Sequence, residues 1–182
     1  HPDIPKIALT ATATKQVKDD VIENLKLISP KVYTGSYYRK NLHVRVLKTE
    51  DIRSAVLRLV RSIDAPAIVY VGTRKNTIQY ARFLNGHQIK ATYYHGGLDH
   101  DQKSKSLLEW KSEKTKIMVA TNAFGMGIDK SNVRMVIHAH LPMSTENYIQ
   151  EIGRAGRDEK TSQTYLLYND NIIYESERLS DK

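Results

Sequence analysis

Short runs of consecutive apolar residues, separated by amphipathic stretches, are the feature that most restricts the fold of this chain. Three of these runs are AIVYV at 67–71, KIMVA at 116–120 and MVIH at 135–138. Strands without polar alternation are buried on both faces, which happens where helices cover both sides of a parallel sheet. The sequence therefore predicts an α/β fold with three layers, α/β/α, in which the middle layer is a mainly parallel, doubly wound sheet.

The hydrophobic spacing predicts seven strands and six helices. The predicted strands are 6–9, 42–47, 67–71, 90–94, 116–120, 135–138 and 164–167. The predicted helices are 15–27, 50–63, 75–84, 101–110, 145–152 and 171–179, with Thr49 expected to cap the second helix. The turn-rich stretch TGSYYRKN at 34–41 predicts a boundary, and we expect one domain at 1–38 and another at 39–182.

Composition narrows the chemistry that this chain can perform. The 28 Lys and Arg against 20 Asp and Glu give a net charge of +8, which favours polyanionic partners such as nucleic acid. Cysteine is absent, which excludes disulfides, thiolate nucleophiles and cysteine-bound zinc. The seven histidines show no metal-ligand spacing with carboxylates, so we expect no metal ligands here. We also expect no membrane span and a location in the cytoplasm or the nucleus.

The usual phosphate-binding signature of nucleotide hydrolases, G-x-x-x-x-G-K-[ST], does not occur in the chain. An acidic pair at a strand end, suited to holding Mg²⁺, is missing too. The chain begins without Met and in the middle of a pattern, so we expect a piece of a larger protein. On its own it is expected not to hydrolyse ATP.

Two arginines lie three residues apart in the stretch QEIGRAGRD at 150–158. Arg154 and Arg157 share a face if the helix continues, or converge from a turn if it stops. An arginine fork directed at a transferring phosphoryl group stabilises the transition-state charge. The alternative is a solvated basic turn with Arg157 paired to Asp158, and the spacing alone favours this alternative.

Other polar residues follow the predicted strands, at the carboxyl edge where such sheets bind ligands. Thr73 with Arg74, and Thr121 with Asn122, could contact a nucleic-acid backbone, since hydroxyl, amide and guanidinium groups commonly do so. Asp129 could accept a hydrogen bond from a ribose hydroxyl. Helix capping, surface charge and a glycine-rich turn capped by the aspartate are the structural alternatives.

Taken in order along the chain, these stretches resemble the motifs of the RecQ family of superfamily-two DNA helicases. ALTATAT at 8–14 is similar to the third motif and AIVYVGTRKNTIQYARFL at 67–84 to the fourth. AFGMGIDKSNVRMVIH at 123–138, followed by P-x-S-x-E-x-Y-x-Q-E-I-G-R-A-G-R-D, resembles the fifth and sixth. DEAD-box RNA helicases read H-R-I-G-R-T-G-R at the sixth motif, a difference that favours DNA as the substrate.

The resemblance implies a RecA-like fold and a role for each motif. At the nucleotide it implies Arg157 as the arginine finger, Arg154 beside it, Gln150 between nucleotide and DNA, and Asp129 with Gly127 at the ribose. The DNA-binding residues that it implies are Thr73, Arg74, His95, Thr121 and Asn122. Thr10 and Thr12 would couple hydrolysis to movement.

The resemblance further implies an ATP-dependent helicase that moves 3′ to 5′ on single-stranded DNA and opens duplexes in repair and recombination. This chain would be the second RecA-like domain with the tail of the first, while the first domain would bind most of the ATP and Mg²⁺. Two alternatives stay open: a non-catalytic nucleic-acid-binding module with a helicase-like fold, and an RNA helicase.

Overall fold

The computed structural model describes residues 4–10, 14–36, 38–125 and 128–174. The chain divides into two compact units, residues 1–39 and 40–182. Among the described residues, no helix is long and apolar enough to cross a membrane.

The described part of the smaller unit contains one helix, α1 (Lys15–Asn24). The Thr14 side chain accepts a hydrogen bond from the Val17 amide and so caps its start. The strand predicted at 6–9 is wrong, because these residues form no ladder in the structure. A strand needs a hydrogen-bonded neighbour, and the described part of this unit supplies none. Ile7 and Leu9 are accordingly 83% and 92% exposed.

The described residues of the larger unit form a sheet of six parallel strands. They are β1 (Leu42–Lys48), β2 (Ala67–Tyr70), β3 (Ala91–Tyr94), β4 (Ile117–Ala120), β5 (Met135–His138) and β6 (Ser162–Tyr168). Their order across the sheet is β1-β6-β5-β2-β4-β3, and every neighbouring pair is parallel. All residues of β2, β4 and β5 are buried, as their continuous apolar sequences predict.

Within the described part of this unit, four helices pack around the sheet: α2 (Ile52–Arg61), α3 (Arg74–Gly86), α4 (His100–Lys111) and α5 (Thr145–Ile152). Alternate residues of the central strands belong to two separate apolar clusters. One contains Val69, Val119 and Ile137. The other contains Ile68, Met118 and Val136. This arrangement places core on both faces of the sheet and gives the three layers predicted from the sequence. A helical segment is also described at 170–174.

The first turn of α2 differs from its prediction. Asp51, not Thr49, is the N-cap, and its carboxylate accepts hydrogen bonds from the Ser54 amide at 3.0 Å and the Ser54 hydroxyl at 2.6 Å. These hydrogen bonds lower the pKa of the Asp51 carboxyl. Thr49 is instead the residue after β1, where its amide donates to Tyr168 at the end of β6. The sheet therefore extends one step further than predicted and the helix begins later.

Candidate functional site

The loops that follow the strands meet at the carboxyl edge of the sheet, where ligands bind in folds of this type. A Cβ added to Gly96, after β3, would lie 3.7 Å from the Cβ of Ala123, after β4. A Cβ added to Gly97 would lie 2.8 Å from Nη1 of Arg74, after β2. The predicted loop residues from three neighbouring strands are thus next to one another.

Arg154 lies in a turn, because α5 ends at Ile152 and Gly153 caps it. Its Nη1 donates a hydrogen bond of 2.6 Å to the carbonyl oxygen of Gly125 in the loop after β4. A Cβ on residue 125 would lie 1.9 Å from Nη2 of the same guanidinium, so only glycine permits this approach. Nε of Arg154 is buried and has no hydrogen-bond partner among the described residues.

Arg157 is turned toward the end of the same loop. Its Nη1 donates to the carbonyl oxygen of Ile128 at 3.2 Å and to Oδ1 of Asp129 at 3.1 Å. The Arg157 side chain is 37% exposed and that of Asp129 is 85% exposed, so the pair is open to solvent. Exposed pairs of this kind contribute little to stability, and the guanidinium can exchange partners easily.

The alternative pairing of Arg157 with Asp158 is wrong. The Asp158 carboxylate instead accepts a hydrogen bond from Nη2 of Arg134, just before β5, and this hydrogen bond lowers the pKa of Asp158. Nη1 of Arg134 also donates to the Ser162 hydroxyl at 3.1 Å. Asp158 therefore ties the turn to the sheet, and Arg157 is left facing outward.

A buried polar pair joins α5 to the sheet, and sequence reasoning did not identify it. Nε2 of His138, the last residue of β5, lies 2.8 Å from Oε2 of Glu151, and the two side chains are 0% and 8% exposed. The Tyr70 ring stacks on His138 with centroids 5.2 Å apart. The Tyr70 hydroxyl donates to the carbonyl oxygen of Phe124 at 3.2 Å, and burial raises its pKa, which keeps it a neutral donor.

Basic side chains, Arg74 and Lys103, lie near His95 in the loop after β3. His95 is only 7% exposed, and neither of its ring nitrogens has a partner among the described residues. Burial, together with the nearby charges of Arg74 and Lys103, lowers the pKa of His95 and favours the neutral ring. Lys103 donates to the carbonyl oxygen of Gly96 at 3.0 Å. The Thr73 hydroxyl accepts a hydrogen bond from the Asn76 amide and so caps α3. Helix capping, the structural alternative given for Thr73, is therefore correct.

The remaining predicted residues have different surroundings. Thr121 is buried and its amide donates to the Tyr94 carbonyl oxygen, whereas Asn122 is exposed and its amide group contacts the Met143 sulfur at 3.8 Å. Gln150 is exposed on α5, one turn before Arg154. Thr10 belongs to the smaller unit, and Gly127 and Thr12 lie outside the described residues.

The donor set at this edge suits an anion. Two guanidiniums lie within one turn, and the buried Nε of Arg154 has an unused donor among the described residues. A nucleotide phosphate fits such donors, because arginine forks match its oxygens. Across the described ranges, no three His, Asp or Glu residues are grouped as metal ligands. The geometry thus defines a RecA-like α/β/α domain that offers cationic groups to an anion without a phosphate-binding loop.

Residues 48–159 match the model of the helicase conserved C-terminal domain, and the chain belongs to this family. It is 42% identical over 169 residues to the ATP-dependent DNA helicase RecQ of Bacillus subtilis, covering 92% of this chain and 28% of that protein. It is 39% identical over 175 residues to the ATP-dependent helicase SGS1 of Saccharomyces cerevisiae, covering 93% and 12%. The resemblance to RecQ helicases is thereby confirmed, and the chain spans less than a third of either relative.

Solved structures confirm the fold. The S. cerevisiae Dbp5 bound to RNA and ADP BeF3 superimposes with a TM-score of 0.75 at 19% identity, covering 93% of this chain and 47% of that one.

Proposed function

We propose that this chain is the second RecA-like domain, with the tail of the first, of an ATP-dependent 3′–5′ DNA helicase that acts in repair and recombination. The observation on which this rests is the pair of arginines in one turn at the carboxyl edge of the sheet, in a chain without a phosphate-binding loop. Such a domain completes a nucleotide site whose phosphate loop and Mg²⁺ ligands are on another domain. By itself the chain is expected to be inactive.

At the nucleotide, Arg157 would act as the arginine finger, because its guanidinium is partly exposed and, among the described residues, donates to an exposed carboxylate and a carbonyl oxygen. Bound ATP supplies the γ-phosphoryl group for transfer to water. Arg157 would leave Asp129 for the phosphate oxygens, and Asp129 would then be available to a ribose hydroxyl. Arg154 would stay closer to the sheet and complete the positive edge. Gln150 would link the nucleotide to the DNA, and Gly127, like Asp129, would bind the nucleotide.

At the nucleic acid, the exposed Asn122 and the neighbouring Thr73, Arg74, His95 and Thr121 would hold the strand through its phosphates. Contacts of this type position a strand without reading its sequence. The surrounding positive charge makes binding salt-dependent, because phosphate neutralisation releases counterions. Thr10 would couple hydrolysis to movement together with Thr12.

Substitution of Arg157 in the full-length protein tests the enzymatic role. Arg157→Ala is expected to lower DNA-stimulated ATP hydrolysis about 10³-fold, since loss of an arginine finger removes transition-state stabilisation. The affinity for ATP should change by no more than a few-fold, measured by equilibrium binding. Arg58→Ala, on the exposed face of α2, is the matched control and should leave both quantities unchanged. Unchanged turnover in Arg157→Ala would rule out the finger role.

The same preparation separates the alternatives. Stimulation of ATP hydrolysis by single-stranded DNA but not by single-stranded RNA supports the DNA helicase, and the reverse supports an RNA helicase. Absence of any ATP hydrolysis by the full-length protein, with nucleic-acid binding retained, would favour the non-catalytic module.

A further inference from the structure

The helix that leads into the two arginines is attached to the sheet by a carboxylate. Of the eight residues of α5, all described by the structure, Glu151 alone is buried, and the neighbouring side chains are only partly covered. An amphipathic helix normally turns apolar side chains toward the core. A buried carboxylate is costly unless it is hydrogen-bonded, and here His138 provides that partner at 2.8 Å.

A hydrogen bond restrains a helix differently from an apolar contact. Its energy falls steeply when the distance or angle changes, whereas burial of apolar surface is non-directional. The Glu151–His138 contact therefore defines how far α5 can slide or rotate against the carboxyl end of β5. The ring of His138 is itself held between Tyr70, stacked at 5.2 Å, and Tyr148, edge-on at 5.0 Å.

The position of Glu151 is transmitted to Arg154 along a short path. The Arg154 amide donates to the carbonyl oxygen of Glu151 at 3.3 Å, and the Ala155 amide donates to that of Ile152 at 3.0 Å. The turn therefore continues directly from the anchored end of α5. Ala155 is fully buried, which leaves this turn little freedom to compensate for a shift of the helix.

The same pair also reaches the partner of Arg154. Tyr70, which stacks on His138, donates its hydroxyl hydrogen bond to the carbonyl oxygen of Phe124. The next residue, Gly125, accepts the 2.6 Å hydrogen bond from Arg154. Both ends of the Arg154–Gly125 contact are thus connected to the buried His138–Glu151 pair.

We propose that Glu151 and His138 are positioning residues that set the placement of Arg154 and Arg157 for phosphoryl transfer. The inference rests on the proposed function, because the arginines matter only if they act on a nucleotide. Both side chains are buried, at 0% and 8% exposed, so they would act through the arginines. A misplacement of about 1 Å caused by a distant change can lower the rate about 10²-fold.

The test is steady-state ATP hydrolysis by the full-length protein with saturating single-stranded DNA. Glu151→Ala is expected to lower kcat about 10- to 100-fold while KM for ATP changes less than about threefold, the pattern of a loss confined to the transition state. Glu151→Gln should recover most of the rate, since its carboxamide oxygen still accepts from the His138 ring. The matched control is Glu146→Ala, an exposed glutamate on the same helix, which should behave as the unmodified protein.

A second comparison separates positioning from a general loss of structure. Single-turnover hydrolysis in a background carrying both Arg154→Ala and Arg157→Ala should fall less than about twofold further when Glu151→Ala is added, because both groups through which Glu151 acts are then already removed. Independent, multiplicative losses would overturn the inference. So would a kcat for Glu151→Ala equal to that of Glu146→Ala.

Three further outcomes stay distinguishable. If Glu151→Ala does not fold, Glu151→Asp, which withdraws the carboxylate by one methylene, replaces it; a lowered kcat supports positioning and an unchanged kcat contradicts it. If Arg157→Ala leaves turnover unchanged, the proposed function fails. If Arg157→Ala abolishes turnover while Glu151→Ala and Glu151→Asp do not lower it, the positioning inference alone fails.

Discussion

Gly156 shows how strongly a single backbone position constrains the turn after α5. Its φ is +57°, a conformation that L side chains rarely adopt. Its amide donates to the Val133 carbonyl oxygen at 2.8 Å, and its carbonyl oxygen accepts from Asn41 at 2.8 Å. A Cβ at this position would lie 2.6 Å from Nδ2 of Asn41 and 2.7 Å from Oγ of Ser162. The turn holds its shape because residue 156 has no side chain.

Gly156→Ala is therefore expected to lower the free energy of unfolding by about 2 kcal/mol, of which strain from the left-handed backbone is a large part. Urea denaturation of the 182-residue chain measures this loss. Gly86→Ala, at the end of α3, is the control, because an added Cβ there meets no atom within 4 Å. It should be neutral or slightly stabilising. Equal effects of the two substitutions would contradict the expectation.

Adjacent charged residues in this turn form ion pairs that cannot be predicted from their order along the chain. Arg157 and Asp158 are adjacent, yet Arg157 bonds to Asp129 and Asp158 to Arg134. Successive side chains in a turn point in different directions, so adjacency is a poor guide to pairing. The sequence could suggest that the arginines matter but not which carboxylate each one contacts.

At the scale of elements, the start of α2 depends on one capping side chain. Asp51 accepts from the Ser54 amide and hydroxyl, while the Thr49 hydroxyl makes only a 3.5 Å contact with the Asp51 carbonyl oxygen. The cap satisfies amides that otherwise lack a partner within the helix.

Asp51→Ala should lower the melting temperature of the chain by about 2–4 °C, as loss of a cap does in a protein of this size. Thr49→Ala should leave it within about 1 °C, since the threonine caps nothing. Circular dichroism at 222 nm during heating measures both. A larger shift for Thr49→Ala than for Asp51→Ala would restore the original prediction of the cap.

Elements with strong periodicity were predictable, and contacts distant in sequence were not. β5 and α5 have the predicted bounds, 135–138 and 145–152, because continuous apolar runs and amphipathic spacing are local signals. The run at 6–9 is also apolar, but whether it joins a sheet depends on a partner strand. Nothing in the sequence marks Glu151 as buried, because a buried carboxylate is recognisable only once its histidine partner is in place.

For the whole molecule, the buried His95 and the partly buried His140 predict a dependence of stability on pH. Burial and the neighbouring His138 lower the pKa of His140, and burial with nearby cations lowers that of His95. In the unfolded chain these histidines protonate near pH 6.5, whereas in the folded chain they protonate only at a lower pH. The stabilising effect of the neutral rings is thus complete above about pH 6.5 and is lost as the pH falls toward the folded pKa values.

The free energy of unfolding should accordingly decrease between pH 7 and pH 5, by at most about 1.4 kcal/mol per pH unit for His140. Urea denaturation across this range measures the slope. His140→Gln should flatten it, because glutamine does not titrate, whereas substitution of the exposed His100 should not. Identical slopes for the unmodified chain and His140→Gln would contradict the assignment.

The position of β1 has a consequence for synthesis on the ribosome. β1 pairs with β6 and with no other strand of the described sheet, and Leu42 is in register with Ser162. At typical elongation rates the ribosome needs on the order of ten seconds to make the residues between these strands. Throughout that interval the amides of β1 and its exposed Val44 and Val46 have no partner strand. The nascent chain therefore presents an unpaired strand edge, the kind of segment that chaperones protect from aggregation.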